Sequence, residues 1–209
     1  PTMCLIVYKP AGVAIAPDLL EAALSLNDEG FGVMGFQPDN SLLLKRSALI
    51  SLDNLLRFER EHRDAEYVLH LRKRTKGDSG EHNTHPFKIT RTLYLMHNGT
   101  IKVPIRVAGR SDSWHLAQDI LRPLAQRRPG VLLDNAFIRL VEMALTPENK
   151  LVLMDYAERR IVILNQHHGA EFEGLWISNT RWIDSRILPL GVTPQRQERS
   201  HSPAHLTFI

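Results

Sequence analysis

Cys4 is the only cysteine in 209 residues. It heads the short apolar run Leu5-Ile6-Val7-Tyr8, and a lone cysteine in such a run ordinarily packs as a small hydrophobe. Three later segments give it a chemical alternative: His70-Leu71-Arg72-Lys73-Arg74-Thr75-Lys76-Gly77, Asn83-Thr84-His85-Pro86-Phe87 and His97-Asn98-Gly99. Together they hold what hydrolysis of a side-chain amide requires. The thiol attacks the carbonyl carbon. At a mature N-terminus the cysteine's own α-amine, which titrates near ~7.7–8.0 in model peptides, can take the proton. An asparagine side chain and a neighbouring backbone N–H, as at Asn98 and Gly99, can hold the oxyanion, each worth on the order of 3 kcal/mol in comparable sites. When the amide belongs to an amino acid, its α-carboxylate calls for a bidentate arginine and its α-ammonium for a carboxylate. Taken singly, each residue has a plainer role: Arg72 as a solvated surface arginine, Asn98-Gly99 as a tight turn, Asp112 as a helix cap.

The elements that would position these residues follow from the pattern of apolar positions. Residues 4–8 read as a buried strand stopped by Lys9-Pro10-Ala11-Gly12. Leu19 to Leu26 reads as a helix starting near Pro17-Asp18, and Phe31 to Phe36 as a glycine-containing strand. A short strand is expected over Leu42 to Lys45, a helix over Ser51 to Glu61 and a strand over Tyr67 to Leu71. Arg72 to Lys88 is too irregular for a regular element, and long loops of that kind often carry function. Leu93 to Met96 then delivers His97-Asn98-Gly99 at a strand end. Helices are expected over Ser113 to Leu124, stopped near Pro123, and as one continuous face through Leu132, Leu133, Ala136, Phe137, Leu140, Val141 and Ala144. Lys150 to Asp155, Ile161 to Leu164 and Leu175 to Ser178 complete the strands. This order is not a regular βαβα alternation, so it predicts a layered α+β domain with mostly antiparallel sheets.

Composition sets the outer limits. The chain is long enough for one domain with an appendage. Its 43% hydrophobic and 23% charged residues match an ordinary globular protein and not a disordered one. One cysteine rules out an internal disulfide. The apolar runs are too short to span a bilayer, and no basic region with a long apolar stretch opens the chain; a cytoplasmic location and no membrane partner are expected. The net charge of +3 is mild. The basic residues between Arg57 and Lys76 are interleaved with Glu59, Glu61, Asp64 and Glu66, unlike a one-signed nucleic-acid surface, so no nucleic-acid partner is expected. His82, His85 and His97, with His62 or His70, could be imagined as metal ligands, but no cysteine or acidic cluster accompanies them; no metal and no cofactor are expected.

With these residues in view, the chain resembles the class II, N-terminal-nucleophile glutamine amidotransferase domain. That family pairs a strand beginning with Cys with segments of the form His-Thr-Arg-x-x-Thr-x-Gly, Asn-x-His-Pro and His-Asn-Gly, then an Asp before a helix. Here these look like His70 to Gly77, Asn83 to Pro86, His97 to Gly99 and Ser111-Asp112-Ser113. Asn27-Asp28-Glu29-Gly30-Phe31-Gly32 looks like the family's Asn-x-Asp-Gly-x-Gly segment with Glu29 inserted. The resemblance covers residues 4–115 well; beyond that, only the order of elements matches. It implies a four-layer αββα sandwich over 4–188 and the following roles. Cys4 is the nucleophile, and Asn98 and Gly99 are the oxyanion hole. Arg72 clamps the glutamine α-carboxylate, Thr75 and Gly77 shape that pocket, and Asp112 holds the α-ammonium. His85 belongs to a substrate-proximal loop. The implied substrate is glutamine or a γ-glutamyl compound. No Gly-x-x-x-x-Gly-Lys-Ser/Thr or Ser-Gly-Gly-x-Asp loop is present for a synthase reaction, so the ammonia would serve a separate synthase, or the chain would act alone as an amidase. Residues 189–209 read as a polar tail. Pro1-Thr2-Met3 read as a propeptide, as a remnant ahead of a start at Met3, or as a block on Cys4 in a fold kept without catalysis.

Overall fold

A computed structural model describes residues 4–74 and 77–180. In chain order the strands and helices are β1 (Leu5–Lys9), α1 (Pro17–Leu26), β2 (Phe31–Phe36), β3 (Leu42–Ser47), α2 (Leu52–Glu61) and β4 (Glu66–Leu71), then β5 (Phe87–Lys88), β6 (Leu93–Asn98), α3 (Asp112–His115), α4 (Arg122–Arg127) and α5 (Asn135–Ala144), and finally β7 (Lys150–Asp155), β8 (Arg160–Leu164), β9 (Ala170–Phe172) and β10 (Leu175–Ile177). One sheet has the order β3-β2-β4-β1-β10-β9 and the other β5-β6-β7-β8. Among the described residues every strand pairing is antiparallel.

Side chains alternate across a strand, and here both faces of each sheet are covered. Leu5, Val7, Val33, Leu69 and Leu71 pack outward against Leu19, Leu20, Ala23, Leu55 and Phe58 of α1 and α2. Their neighbours Ile6, Met34 and Val68 point the other way and meet Tyr94, Met96, Val152 and Met154 of the second sheet. On that sheet's far face Leu93, Leu95, Leu151 and Leu153 pack under Leu116, Leu121, Leu132 and Ile138. The result is helix, sheet, sheet, helix: a four-layer αββα sandwich. Because strands buried on both faces need apolar residues at every position, they read in sequence as continuous apolar runs.

Local chemistry fixes the helix ends. Pro17 occupies the first turn of α1, where its missing N–H costs nothing, and the Ser51 side chain accepts from Asn54 N at the start of α2. Two helical expectations are corrected. Pro123 does not stop a helix. A π-helical stretch, Leu116–Leu121, joins α3 to α4, and Pro123 sits in the first turn of α4; the wider turn before it relieves the clash a proline makes with the preceding carbonyls. The run from Leu132 to Ala144 is broken at Asp134, whose carboxylate accepts from Ala136 N and Phe137 N and caps α5. Val131–Leu133 forms a separate 3-10 turn. Leu140 then turns away from the core and is 64% exposed, while Ile138 is the buried residue of α5. The irregular stretch after Arg72 also holds a 3-10 turn at Glu81–Asn83 and the short strand β5. The expectations for residues 1–3 and 189–209 lie outside the described residues.

Candidate active site

The strand parity that builds the core also gathers the candidate residues. Ile6 and Trp176 belong to the core between the sheets, and so do Tyr94 and Met96. Continued by two residues, that parity puts Cys4 and Ser178 on the inner face of the large sheet, and Asn98 on the inner face of the other. Leu5 pairs with Leu71 in the β1–β4 ladder, so Cys4 lies beside the stretch beginning at Arg72.

The Cys4 thiol donates to Lys73 O at 3.1 Å and accepts from Lys73 N at 3.3 Å. The cysteine is half-buried. Burial pushes the thiol up to about 11; the Lys73 N–H and the Arg72 charge pull it down, and the charge of Asp112 raises it slightly. At neutral pH it is a protonated thiol that needs a base before it can attack.

Arg72 is buried. Its backbone N donates to Gly30 O at 2.8 Å, its carbonyl accepts from Glu29 N at 3.0 Å, and its Nη2 donates to Asp78 O at 2.8 Å. The Asn27–Gly30 turn therefore braces the arginine from behind, with Glu29 Oε2 also accepting from Arg74 N. Asp112 opens α3, capped by Ser111, whose Oγ accepts from Trp114 N. The buried Asp112 carboxylate accepts from Ile101 N and Ser113 N, both at 2.9 Å.

Asn98 ends β6. Its Nδ2 donates to Ser178 Oγ at 2.6 Å, and its Oδ1 has no partner among the described residues. Gly99 follows at φ 128°, and a Cβ there would lie 2.4 Å from Asn149 Oδ1; only glycine fits this approach. The same Asn149 oxygen accepts from His97 Nε2 at 2.8 Å, which leaves His97 Nδ1 to accept from the Ser113 hydroxyl at 2.7 Å. Burial lowers the pKa of His97 and favours this neutral form. It ties β6 to α3 and so fixes Asn98 and Asp112 relative to each other.

The remaining candidates take supporting positions. Gly77 packs against Asn83 and Ser111. Thr75 lies outside the described residues. His85 is buried, its ring 4.0 Å from that of His70 and 4.5 Å from that of Phe87. Its carbonyl presses on β2, where a Cβ on Gly32 would sit 1.8 Å from His85 O. Among the described residues no group of three or more His, Cys, Asp or Glu is arranged to hold a metal ion; His82, for one, pairs instead with Asp78 at 2.8 Å.

Three residues that sequence reasoning did not single out hold this arrangement together. Asn83 Nδ2 donates to Gly109 O at 2.6 Å and its Oδ1 accepts from Ser111 N at 2.8 Å, which joins the Arg72 loop to the start of α3. Its place in the Asn-x-His-Pro segment was the available signal. Ser178 and Asn179 follow β10. Ser178 Oγ accepts from Ile6 N at 2.9 Å, and Asn179 Nδ2 donates to Cys4 O at 2.9 Å. In sequence Ser178 was only the last residue of an expected strand, and Asn179 a polar residue after it.

No protein-family model and no curated protein matches the chain. Solved structures do resemble it, two of them as follows. Glutamine phosphoribosylpyrophosphate amidotransferase from B. subtilis aligns with 86% of this chain and 42% of its own, at 13% identity and a TM-score of 0.49. A glutamine aminotransferase class-II domain protein from Silicibacter pomeroyi aligns over 73% of each chain, at 19% identity and a TM-score of 0.39. The chain thus spans less than half the length of the B. subtilis enzyme.

Among the described residues no helix is long and apolar enough to cross a membrane.

Proposed function

We propose that this chain is an amidohydrolase of the N-terminal-nucleophile kind, in which Cys4 attacks the side-chain amide of glutamine and releases ammonia for a separate synthase. One observation carries the reading. The thiol is bonded to the residue next to Arg72, while the Asn98 carboxamide is bonded through Ser178 to Ile6, two residues from the same cysteine. Nucleophile, carboxylate clamp and oxyanion donor thereby converge from three strands.

The chemistry follows from that convergence. Removal of residues 1–3 frees the Cys4 α-amine. The amine takes the thiol proton as sulfur bonds to the amide carbon, and the carbonyl electrons move to oxygen between Asn98 Nδ2 and Gly99 N. Collapse breaks the C–N bond, and the nitrogen leaves as ammonia with the proton returned by the amine. Water then cleaves the thioester to give glutamate. Arg72 holds the substrate α-carboxylate, Asp112 its α-ammonium, and Thr75 and Gly77 shape the pocket. The catalytic domain on this reading spans 4–188, with 189–209 as a tail, and works in the cytoplasm. A chain that turns over glutamine or another γ-glutamyl amide efficiently without a second protein is instead a stand-alone hydrolase.

A rival reading also has an observation behind it. A thiol raised to about 11 and bonded in both directions to Lys73 suits a structural cysteine on a fold kept for binding. The test is the intact mass of the protein from its natural source, before and after a diazo-ketone analogue of glutamine. A mature Cys4 terminus with one adduct, absent in Cys4→Ala, supports the enzyme. A retained leader with no adduct sinks it in favour of the rival.

A further inference from the structure

The last rungs between β1 and β10 are not a normal ladder. Val7 pairs with Ile177, and Ser178 N donates to Ile6 O at 2.9 Å as the next rung requires. The reciprocal bond, however, runs from Ile6 N to Ser178 Oγ, a side chain standing in for the carbonyl. One residue further on, Asn179 Nδ2 reaches Cys4 O. Both side chains bind the backbone that carries the nucleophile.

Ser178 is fully buried. A hydroxyl has two acceptor sites and one proton. Ile6 N occupies one site at 2.9 Å and Asn98 Nδ2 the other at 2.6 Å, with Asn179 Nδ2 more distant at 3.4 Å. A single oxygen therefore joins the two sheets at the end where Cys4 and Asn98 lie. An asparagine carboxamide has two N–H bonds and one carbonyl, and only an N–H can stabilise an oxyanion. With one N–H given to Ser178, the second N–H of the same planar group is left with one direction.

We propose that Ser178 is a positioning residue for the amide hydrolysis: its hydroxyl fixes the Asn98 carboxamide with nitrogen towards the nucleophile and locks it to the Cys4 strand. The catalytic half rests on the reading of Cys4 and Asn98 given above; the structural half does not, and the two are tested apart. The structural measurement is solvent exchange of the Asn98 carboxamide protons in isotope-labelled protein, with the signals identified by their loss in Asn98→Ala. One proton of the pair is expected to be protected, and to exchange about 10-fold faster or more in Ser178→Ala. Equal exchange in both overturns the anchor.

The catalytic measurement uses protein with a free Cys4 terminus. Ser178→Ala is expected to lower kcat for glutamine by about 10-fold or more with KM within about twofold, since an oxyanion donor acts in the transition state. Ser178→Thr, which restores the oxygen, recovers most of the rate. The double variant Ser178→Ala with Asn98→Ala is no slower than Asn98→Ala alone, because Ser178 acts through Asn98. Effects that multiply, or a loss confined to KM, overturn the positioning role. Should Ser178→Ala fail to fold, Ser178→Cys, with its weaker acceptor, takes its place in both measurements. Wild type that hydrolyses no glutamine removes the catalytic half together with the amidohydrolase reading, while the exchange experiment still decides the anchor.

Discussion

The Cys4 thiol is held down by its surroundings, and the direction of each influence can be read at neighbouring residues. Burial raises its pKa to about 11, with Arg72 opposing and Asp112 adding to the rise. While Cys4 remains in peptide linkage to Met3, alkylation by iodoacetamide should be slow at neutral pH and climb towards pH 11. Asp112→Asn removes a negative charge and should move that profile down; Arg72→Met removes a positive one and should move it up. A wild-type midpoint at or below about 8.5, the value of an unperturbed cysteine, would show that burial does not control this thiol. The same pair separates binding from chemistry in protein with a free Cys4 terminus. On the proposed reading Arg72 and Asp112 hold the unreactive end of the substrate, so Arg72→Met and Asp112→Asn should raise KM for glutamine by about 10-fold or more. Asn98→Ala should lower kcat by about 100-fold, because the oxyanion exists only beyond the ground state. Steady-state kinetics of the three variants would reject these assignments if all retained wild-type constants.

At the scale of elements, β2 is where the fold tolerates least. Its Gly32 faces the His85 carbonyl so closely that a Cβ would fall 1.8 Å from a backbone oxygen, and backbone cannot swing aside as a side chain can. Gly32→Ala should cost about 3 kcal/mol or more of stability. Gly12→Ala, at φ 75° with nothing within 4 Å of the added carbon, should cost about 1 kcal/mol, the strain of a left-handed alanine alone. Urea midpoints of the two variants compare them, and equal losses would remove the His85 contact as the cause. Gly32 was noticed in sequence for its strand position, and the structure supplies the partner that sequence could not name. The same division runs through the chain. The strands were legible as short apolar runs such as Leu5-Ile6-Val7 or Leu93-Tyr94-Leu95, but runs apolar at every position do not say which face is which, and the aim of Asn98 came only with the packed sheets. The π-helical stretch before Pro123 and the break at Asp134 were not legible. Each depends on which backbone bond wins locally, and the apolar spacing of Leu132, Leu133 and Phe137 is the same whether or not Asp134 caps. Ser178 was illegible for a further reason: its partners Ile6 and Asn98 lie 172 and 80 residues away, and only the closed fold brings them to one oxygen.

At the scale of the molecule, His70, His85 and His97 are three of the imidazoles buried in the layers around the candidate site. His70 stands opposite Ile6 and Gly32, its ring tilted against that of His85 at 4.0 Å, and His97 lies beneath α3. Burial lowers all three, His70 to about 3, and His70 and His85 also feel the Arg72 charge. Neither His85 ring nitrogen has a partner among the described residues, so nothing there would stabilise a second proton on the ring. The sign follows directly. Folded values lie below the unfolded value of about 6.5, so the folded state stays neutral while the unfolded chain takes up protons. The stability these residues contribute is fully present above about pH 6.5 and drains away as pH falls towards their folded values. Each histidine that stays neutral in the fold costs about 1.4 kcal/mol per pH unit, so His70 and His85, the two pushed furthest down, together cost about 3 kcal/mol per unit once protonated in the unfolded chain, and His97 adds to this until it titrates in the fold. Against a typical total of about 5–15 kcal/mol, a loss of about 5 kcal/mol by pH 4.5 is a large part of the stability. Urea denaturation at pH 7.5, 6, 5 and 4.5 measures the slope. Replacing His70 by Leu should flatten it by about one proton, since Leu fits the apolar face and carries no titration. A stability that stays level from pH 7.5 to 4.5, or a His70→Leu slope equal to the wild-type slope, would mean that these rings bind protons as readily folded as unfolded, against their burial.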